Sequence, residues 1–135
     1  MKILTLSIKQ EYFDEILAGT KTHEYREIRP NNAKRYFRYE LNGKLYETTY
    51  DMPSDEEEDG DVNLVPVKYD AIKFLTGAYR GKRPYMIVEV KKAEVVLLAD
   101  EEGNDIIYEW TDGKEYIAAE MDYTLGKILE KPTDL

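Results

Sequence analysis

No cysteine occurs among the 135 residues, so disulfides, thiolate zinc sites and cysteine nucleophiles are excluded. That usage suits the cytoplasm. Long apolar runs are lacking too. The longest uncharged one, Val95 to Ala99, falls far short of the roughly 20 residues that a membrane span needs. Met1-Lys2 followed by Ile3 to Ile8 is too short for a signal-peptide core and has no small-residue cleavage site, so no cleaved leader is expected. Histidine is represented by His23 alone and serine by Ser7 and Ser54, which leaves almost nothing from which to build a serine–histidine–acid triad. A lone histidine on an alternating segment reads as a half-buried or surface imidazole. Neither a metal site nor a cofactor is expected.

What is present fits a single domain spanning 1–135, long enough to bury a core without a covalent staple. The formal net charge is −9, which taken alone argues against a nucleic-acid partner. Its distribution is uneven. Asp51, Asp55, Glu56, Glu57, Glu58, Asp59 and Asp61 follow one another with no base between them, whereas the segment from Lys21 to Lys44 holds seven bases and three acids. Arg80, Lys82 and Arg83 form a second basic knot. A basic face of this kind is a candidate phosphate footprint. The acidic run from Asp51 to Asn63 reads as a solvated loop, because like charges repel and little apolar anchors them. A basic protein partner is one use for segment 51–61.

Lys2 to Ile8 alternates with period two, the mark of a strand. Gln10 to Ala18 changes to helical spacing, with Tyr12, Phe13, Ile16 and Leu17 on one side, and Gly19 supplies a left-handed stop. Thr22 to Arg29 alternates again, placing Thr22, Glu24, Arg26 and Ile28 on one face and His23, Tyr25, Glu27 and Arg29 on the other. Asn31 to Tyr36 is a short helix candidate. Asn42-Gly43 and Asp112-Gly113 are both type I′ hairpin signals. The first turn predicts Tyr39 opposite Tyr46 and Arg38 opposite Glu47; the second predicts Tyr108 opposite Ile117 and Ile106 opposite Ala119. Ile117, Ala119, Met121, Tyr123 and Leu125 keep period two despite good helix formers, so phase predicts a strand. Lys68 to Leu75 and Tyr85 to Leu98 complete the strand candidates. The expected class is α+β and mostly β, a small barrel with one main N-terminal helix and short accessory helices. A hairpin and the acidic loop form an insertion at about 37–66.

Several motifs fail on geometry. Asp55 to Gly60 imitates the start of a calcium loop, but the twelfth position is Pro66 instead of a bidentate glutamate. Gly77 to Arg83 is too short for a phosphate-cradling loop and lacks the magnesium-binding hydroxyl. Two features remain. The stretch Gly19-Thr-Lys21-Thr-His-Glu24-Tyr25-Arg26 gathers a cation, a carboxylate and a guanidinium where a helix gives way to a strand. Glu89 interrupts the apolar run Tyr85-Met-Ile-Val-Glu89-Val90, and a mid-strand acid must face water or find a partner.

These residues carry a family resemblance. Ile16-Leu-Ala-Gly-Thr-Lys21-Thr-His-Glu24-Tyr-Arg26 resembles the signature of ASCH domains of the PUA-like superfamily: a helix ending in glycine, a lysine, then a strand bearing a polar residue and an arginine. Tyr69 to Phe74, Tyr85 to Lys92 and Leu125 to Glu130 fit the family's course. The resemblance implies a PUA-like β-barrel whose charged cleft, beside the first helix, recognises RNA or a modified nucleoside. On that reading Lys21, Glu24, Arg26 and Arg29 bind the ligand, Lys34 and Arg35 extend the rim, and Tyr25 and Tyr79 stack on bases.

Some small ASCH proteins are amidohydrolases of acetylated cytidine that use a lysine, a threonine and a glutamate. By position Lys21 matches the lysine and Glu89 the glutamate, but Glu24 stands where the threonine belongs, and a carboxylate is not a hydroxyl nucleophile. Thr22 lies about 6 to 7 Å away along the same strand face. The alternative reading is a small hydrolase of an acylated nucleoside in which Lys21, Glu24 and Glu89 share acid–base work. Whether the chain is an enzyme stays open at this point.

Overall fold

The computed structural model describes residues 1–77 and 83–132. Its strands are β1 (Ile3–Ser7), β2 (His23–Ile28), β3 (Phe37–Leu41), β4 (Lys44–Tyr46), β5 (Val62–Pro66), β6 (Ala71–Leu75), β7 (Tyr85–Leu97), β8 (Ile107–Glu109), β9 (Glu115–Ile117) and β10 (Ala119–Glu130). Its helices are α1 (Gln10–Ala18) and the four-residue α2 (Ala33–Tyr36), with one further helical turn at Thr49–Asp51. The protein is therefore α+β and mostly β, the class that the PUA-like resemblance implies. Among the described residues three sheets are formed, in the orders β1-β6-β7-β10-β2, β4-β3-β5 and β8-β9. Among the described residues no helix is long and apolar enough to cross a membrane.

Packing groups the chain into two compact units. The first comprises 1–24, 68–93 and 123–135; the second comprises 25–67 and 94–122. In the first unit β1 runs parallel to β6, with Leu4 beside Ile72 and Leu6 beside Phe74. β6 runs antiparallel to β7, with Ile72 beside Val88 and Phe74 beside Met86. Period-two alternation turns all six side chains to one face, where they are buried along with Phe13 and Ile16 of α1 and Tyr123 and Leu125 of β10. Alternation places Glu89, paired with Ala71, on the other face.

In the second unit β3 is the centre of its sheet, paired with β4 on one side and β5 on the other. The Asn42-Gly43 turn forms as expected, with both residues at positive φ, 51° and 85°, and Tyr39 faces Tyr46. Arg38 and Glu47 fall outside that ladder: Arg38 donates to the carbonyl oxygens of Lys34 and Phe37, and Glu47 meets Lys34 at 3.8 Å. The acidic loop is shorter than expected, because Val62 and Asn63 begin β5 and pair with Leu41 and Glu40. Asn63 Nδ2 also donates to Glu40 at 3.1 Å.

The second hairpin differs from its sequence reading by one residue. Tyr108 faces Tyr116, and Ile107 faces Ile117. The turn is closed by Trp110 and Lys114, with the Gly113 N–H donating to the Trp110 oxygen at 2.9 Å, so the loop holds three residues instead of two. Gly113 is left-handed at φ 78° and Asp112 is not among the positive-φ residues. The reason is local: the Asp112 carboxylate accepts the Lys114 N–H at 2.9 Å and the Tyr116 O–H at 2.6 Å, which favours a type I turn with a glycine bulge.

Candidate functional site

Helix α1 stops where its glycine dictates. Gly19 is left-handed at φ 82°, its N–H donates to the Ile16 oxygen at 3.0 Å, and the Thr20 N–H reaches back to the Glu15 oxygen at 3.0 Å. These two bonds make a Schellman stop. The Lys21 N–H adds a third donor to this end, again to the Glu15 oxygen, at 3.1 Å. The chain is thereby turned sharply into β2, and the Lys21 side chain is carried back beside the helix. Its ammonium lies 5.6 Å from the Tyr12 ring centroid and 3.5 Å from Glu24 Oε1.

The pair sits in a corner of the first unit with little water: the Lys21 side chain is 18% exposed and that of Glu24 8%. A carboxylate this buried is costly without a countercharge, so the lysine is part of what allows Glu24 to be there. Chemically the corner offers an N–H donor and a carboxylate acceptor side by side. Arg26, half-buried, shares the Glu24 and Ile28 face of β2, whereas Tyr25 is on the opposite, exposed face. Tyr79, like Arg80 and Lys82, lies outside the described residues.

Glu89 lines an open hollow of about 580 Å³ whose walls include Lys68, Asp70 and Lys127 but neither Lys21 nor Glu24. Its carboxylate rests over Gly126 of β10; a Cβ at that position would stand 2.1 Å from Glu89 Oε1. Glycine in a strand interior here marks a close approach between neighbouring strands. The structure thus brings Lys21 and Glu24 together, and the hollow that Glu89 lines includes neither.

Arg29 belongs to the second unit. Its guanidinium lies over the Tyr108 ring, 4.4 Å from the centroid, and donates to Glu27. The hydrogen bond with Tyr108, reinforced by Glu27, holds it above its ordinary ionisation range. Arg29 also lines a groove of about 460 Å³ together with Phe37, Tyr39, Leu64, Tyr116 and Ile117. Burial raises the Tyr39 phenol above its usual value. Tyr108 stacks on Tyr116 with centroids 6.0 Å apart. Sequence reasoning missed this aromatic wall although the signal was present. Tyr108 and Tyr116 flank a recognised turn, and the one-residue shift in register faces them across the hairpin.

Tyr116 gives a pH prediction. Its phenol is pushed up to about 12, chiefly by the hydrogen bond to Asp112, while that bond and the Lys114 N–H lower the Asp112 carboxyl from 3.8. The contribution from Tyr116 is complete below the ordinary tyrosine value of 10.0 and fades as pH rises through about 12. The contribution from Asp112 is complete above 3.8 and fades as pH falls through its lowered value. An ultraviolet titration is expected to show a late tyrosine component at about 12 that moves back toward 10.0 in Asp112→Asn; an unchanged curve in that variant would contradict the assignment.

The charge divides with the units. The segments of the first carry 12 Lys and Arg against 8 Asp and Glu, and those of the second 7 against 20. The basic stretch seen in the sequence is therefore mostly embedded in the acidic unit, where Arg29 and Lys34 already face Glu27 and Glu47. Phosphate is better matched by the first unit.

A family model described as the ASCH domain matches residues 6–121. No curated protein and no solved structure matches the chain.

Proposed function

The chain belongs to the ASCH domain family, and from that premise we propose that the Lys21–Glu24 corner recognises RNA or a modified nucleoside. The observation that carries this reading is the pair itself: a carboxylate 8% exposed, 3.5 Å from an ammonium, at the end of the helix where the family signature falls. A nucleobase edge presents an N–H donor next to an oxygen or nitrogen acceptor, and the corner offers the complementary acceptor and donor. Glu24 takes the exocyclic N–H and Lys21 donates to the neighbouring acceptor. The excess of bases in the surrounding unit attracts the phosphates.

Fluorescence anisotropy with labelled single-stranded and hairpin RNAs tests this. Lys21→Ala is expected to weaken binding about tenfold and to lower the slope of log affinity against log salt by about one. Glu24→Gln is expected to change base preference more than salt dependence, and Lys44→Ala, in the second unit, to leave both as they are. Binding that is indifferent to salt and to both corner substitutions would refute the reading.

Hydrolysis gains no support of its own from the geometry, since Glu89 opens on a hollow that lacks Lys21 and Glu24. Acylated nucleosides are expected to bind without turnover; turnover abolished by Glu89→Gln would restore the hydrolase reading.

A further inference from the structure

The second unit holds a surface that the RNA reading does not use. Its groove has an apolar floor and an apolar mouth: Val62, Leu97 and Ile117 line it and are 49%, 50% and 43% exposed. Past Tyr39 and Tyr116 it adjoins a smaller hollow of about 120 Å³; the two share Pro30, Ala33, Tyr39 and Tyr116 as walls. Together they make a track longer than a compact ligand needs. Exposed apolar surface of this extent, framed by charge, marks a contact site.

The charge of the unit around it is predominantly negative. The unit carries 20 acids against 7 bases; of the cations along the track, Arg29 and Lys34 are engaged by Glu27 and Glu47, and Lys114 rests over the Tyr50 ring, 3.9 Å from its centroid. Glu115 is a further wall residue. Both ends of the acidic run reach the track: Tyr50, just before Asp51, lines the smaller hollow, and Val62, just after Asp61, lines the groove. The run therefore begins and ends at the apolar track, so its seven acids are tethered beside it at both ends.

We propose that this track docks a basic peptide segment of a partner protein, with bulky apolar side chains seated in the groove and lysines or arginines facing the 51–61 run. Apolar burial supplies the affinity; the run supplies attraction and selects against acidic partners and nucleic acid. The inference stands apart from the RNA reading, which concerns the first unit.

The test uses the full chain and a fluorescein-labelled lysine peptide carrying two leucines, with two controls: serine in place of leucine, and glutamate in place of lysine. The leucine–lysine peptide is expected to bind, and either control to bind at least about tenfold more weakly. Leu97→Ser and Ile117→Ser, both at exposed positions, are each expected to weaken it several-fold. The triple variant Glu56→Gln, Glu57→Gln, Glu58→Gln is expected to flatten its salt dependence. Circular dichroism confirms folding of each variant, and the peptide series carries the test if one fails. Equal binding of the serine peptide would reduce the effect to bare charge and overturn the proposal. So would competition by RNA, or self-association of the chain that Ile117→Ser abolishes, which would make a second copy the occupant.

Discussion

Lys21→Met is expected to destabilise the protein by about 2 kcal/mol, while Lys21→Met combined with Glu24→Gln recovers a substantial part of that loss. The single variant strips a countercharge from a carboxylate that is only 8% exposed. Breaking a fully buried pair costs about 3–5 kcal/mol; the 18% exposure of Lys21 and the 3.5 Å separation place this pair below that range. The double variant leaves no charge to strand, and a neutral amide desolvates far more cheaply than a carboxylate. Urea denaturation of the four members of the cycle measures the coupling directly. A single variant as stable as the parent, or a double variant no better than the sum of its parts, would show that Lys21 does not hold Glu24 in place. The same cycle separates structure from recognition, since Glu24→Gln keeps the shape of the corner while removing its charge.

Phe13→Ala carries the largest expected cost, about 3–5 kcal/mol. The ring is 0% exposed, so truncation removes both its apolar transfer energy and the contacts of the atoms that surrounded it. For a chain of this size that corresponds to a fall in Tm on the order of 10 °C or more. The loss reaches the corner through the helix. Phe13 and Ile16 are the buried residues of α1, and the Schellman stop that aims Lys21 hangs on the same helix through the oxygens of Glu15 and Ile16. RNA affinity is accordingly expected to fall with stability in Phe13→Ala. Ile117→Ser, at a 43% exposed position, is expected to change neither by much. A Phe13→Ala protein with an unshifted Tm would mean that α1 is not anchored by its buried ring.

Local periodicity was legible over much of the chain. Helix α1 begins and ends where helical spacing and Gly19 place it, and β2 turns Glu24 and Ile28 inward as alternation requires. β10 buries Ala119, Met121, Tyr123 and Leu125 on a strict period of two, although its residues favour helix. Two errors have local causes of their own. β5 was hidden by the acids before it and by Pro66 inside it, and only its pairing with β3 makes it a strand. The Asp112-Gly113 hairpin slipped by one residue because a side-chain carboxylate selected a different turn.

The sequence by itself determined the elements that depend on neighbours a few residues apart: the stop at Gly19, the faces of the strands, the first hairpin, and the nearness of Lys21 to Glu24, which are three residues apart. Only the tertiary structure decided that Glu89 lies over Gly126 and lines a hollow with Lys68, Asp70 and Lys127. It likewise decided that the basic stretch is folded into an acidic unit and that an aromatic-walled groove exists. Each of those facts is set by which distant strands pair, and in what register. Pairing over such separations is chosen by burial of the whole core, which leaves no periodic trace at any one position.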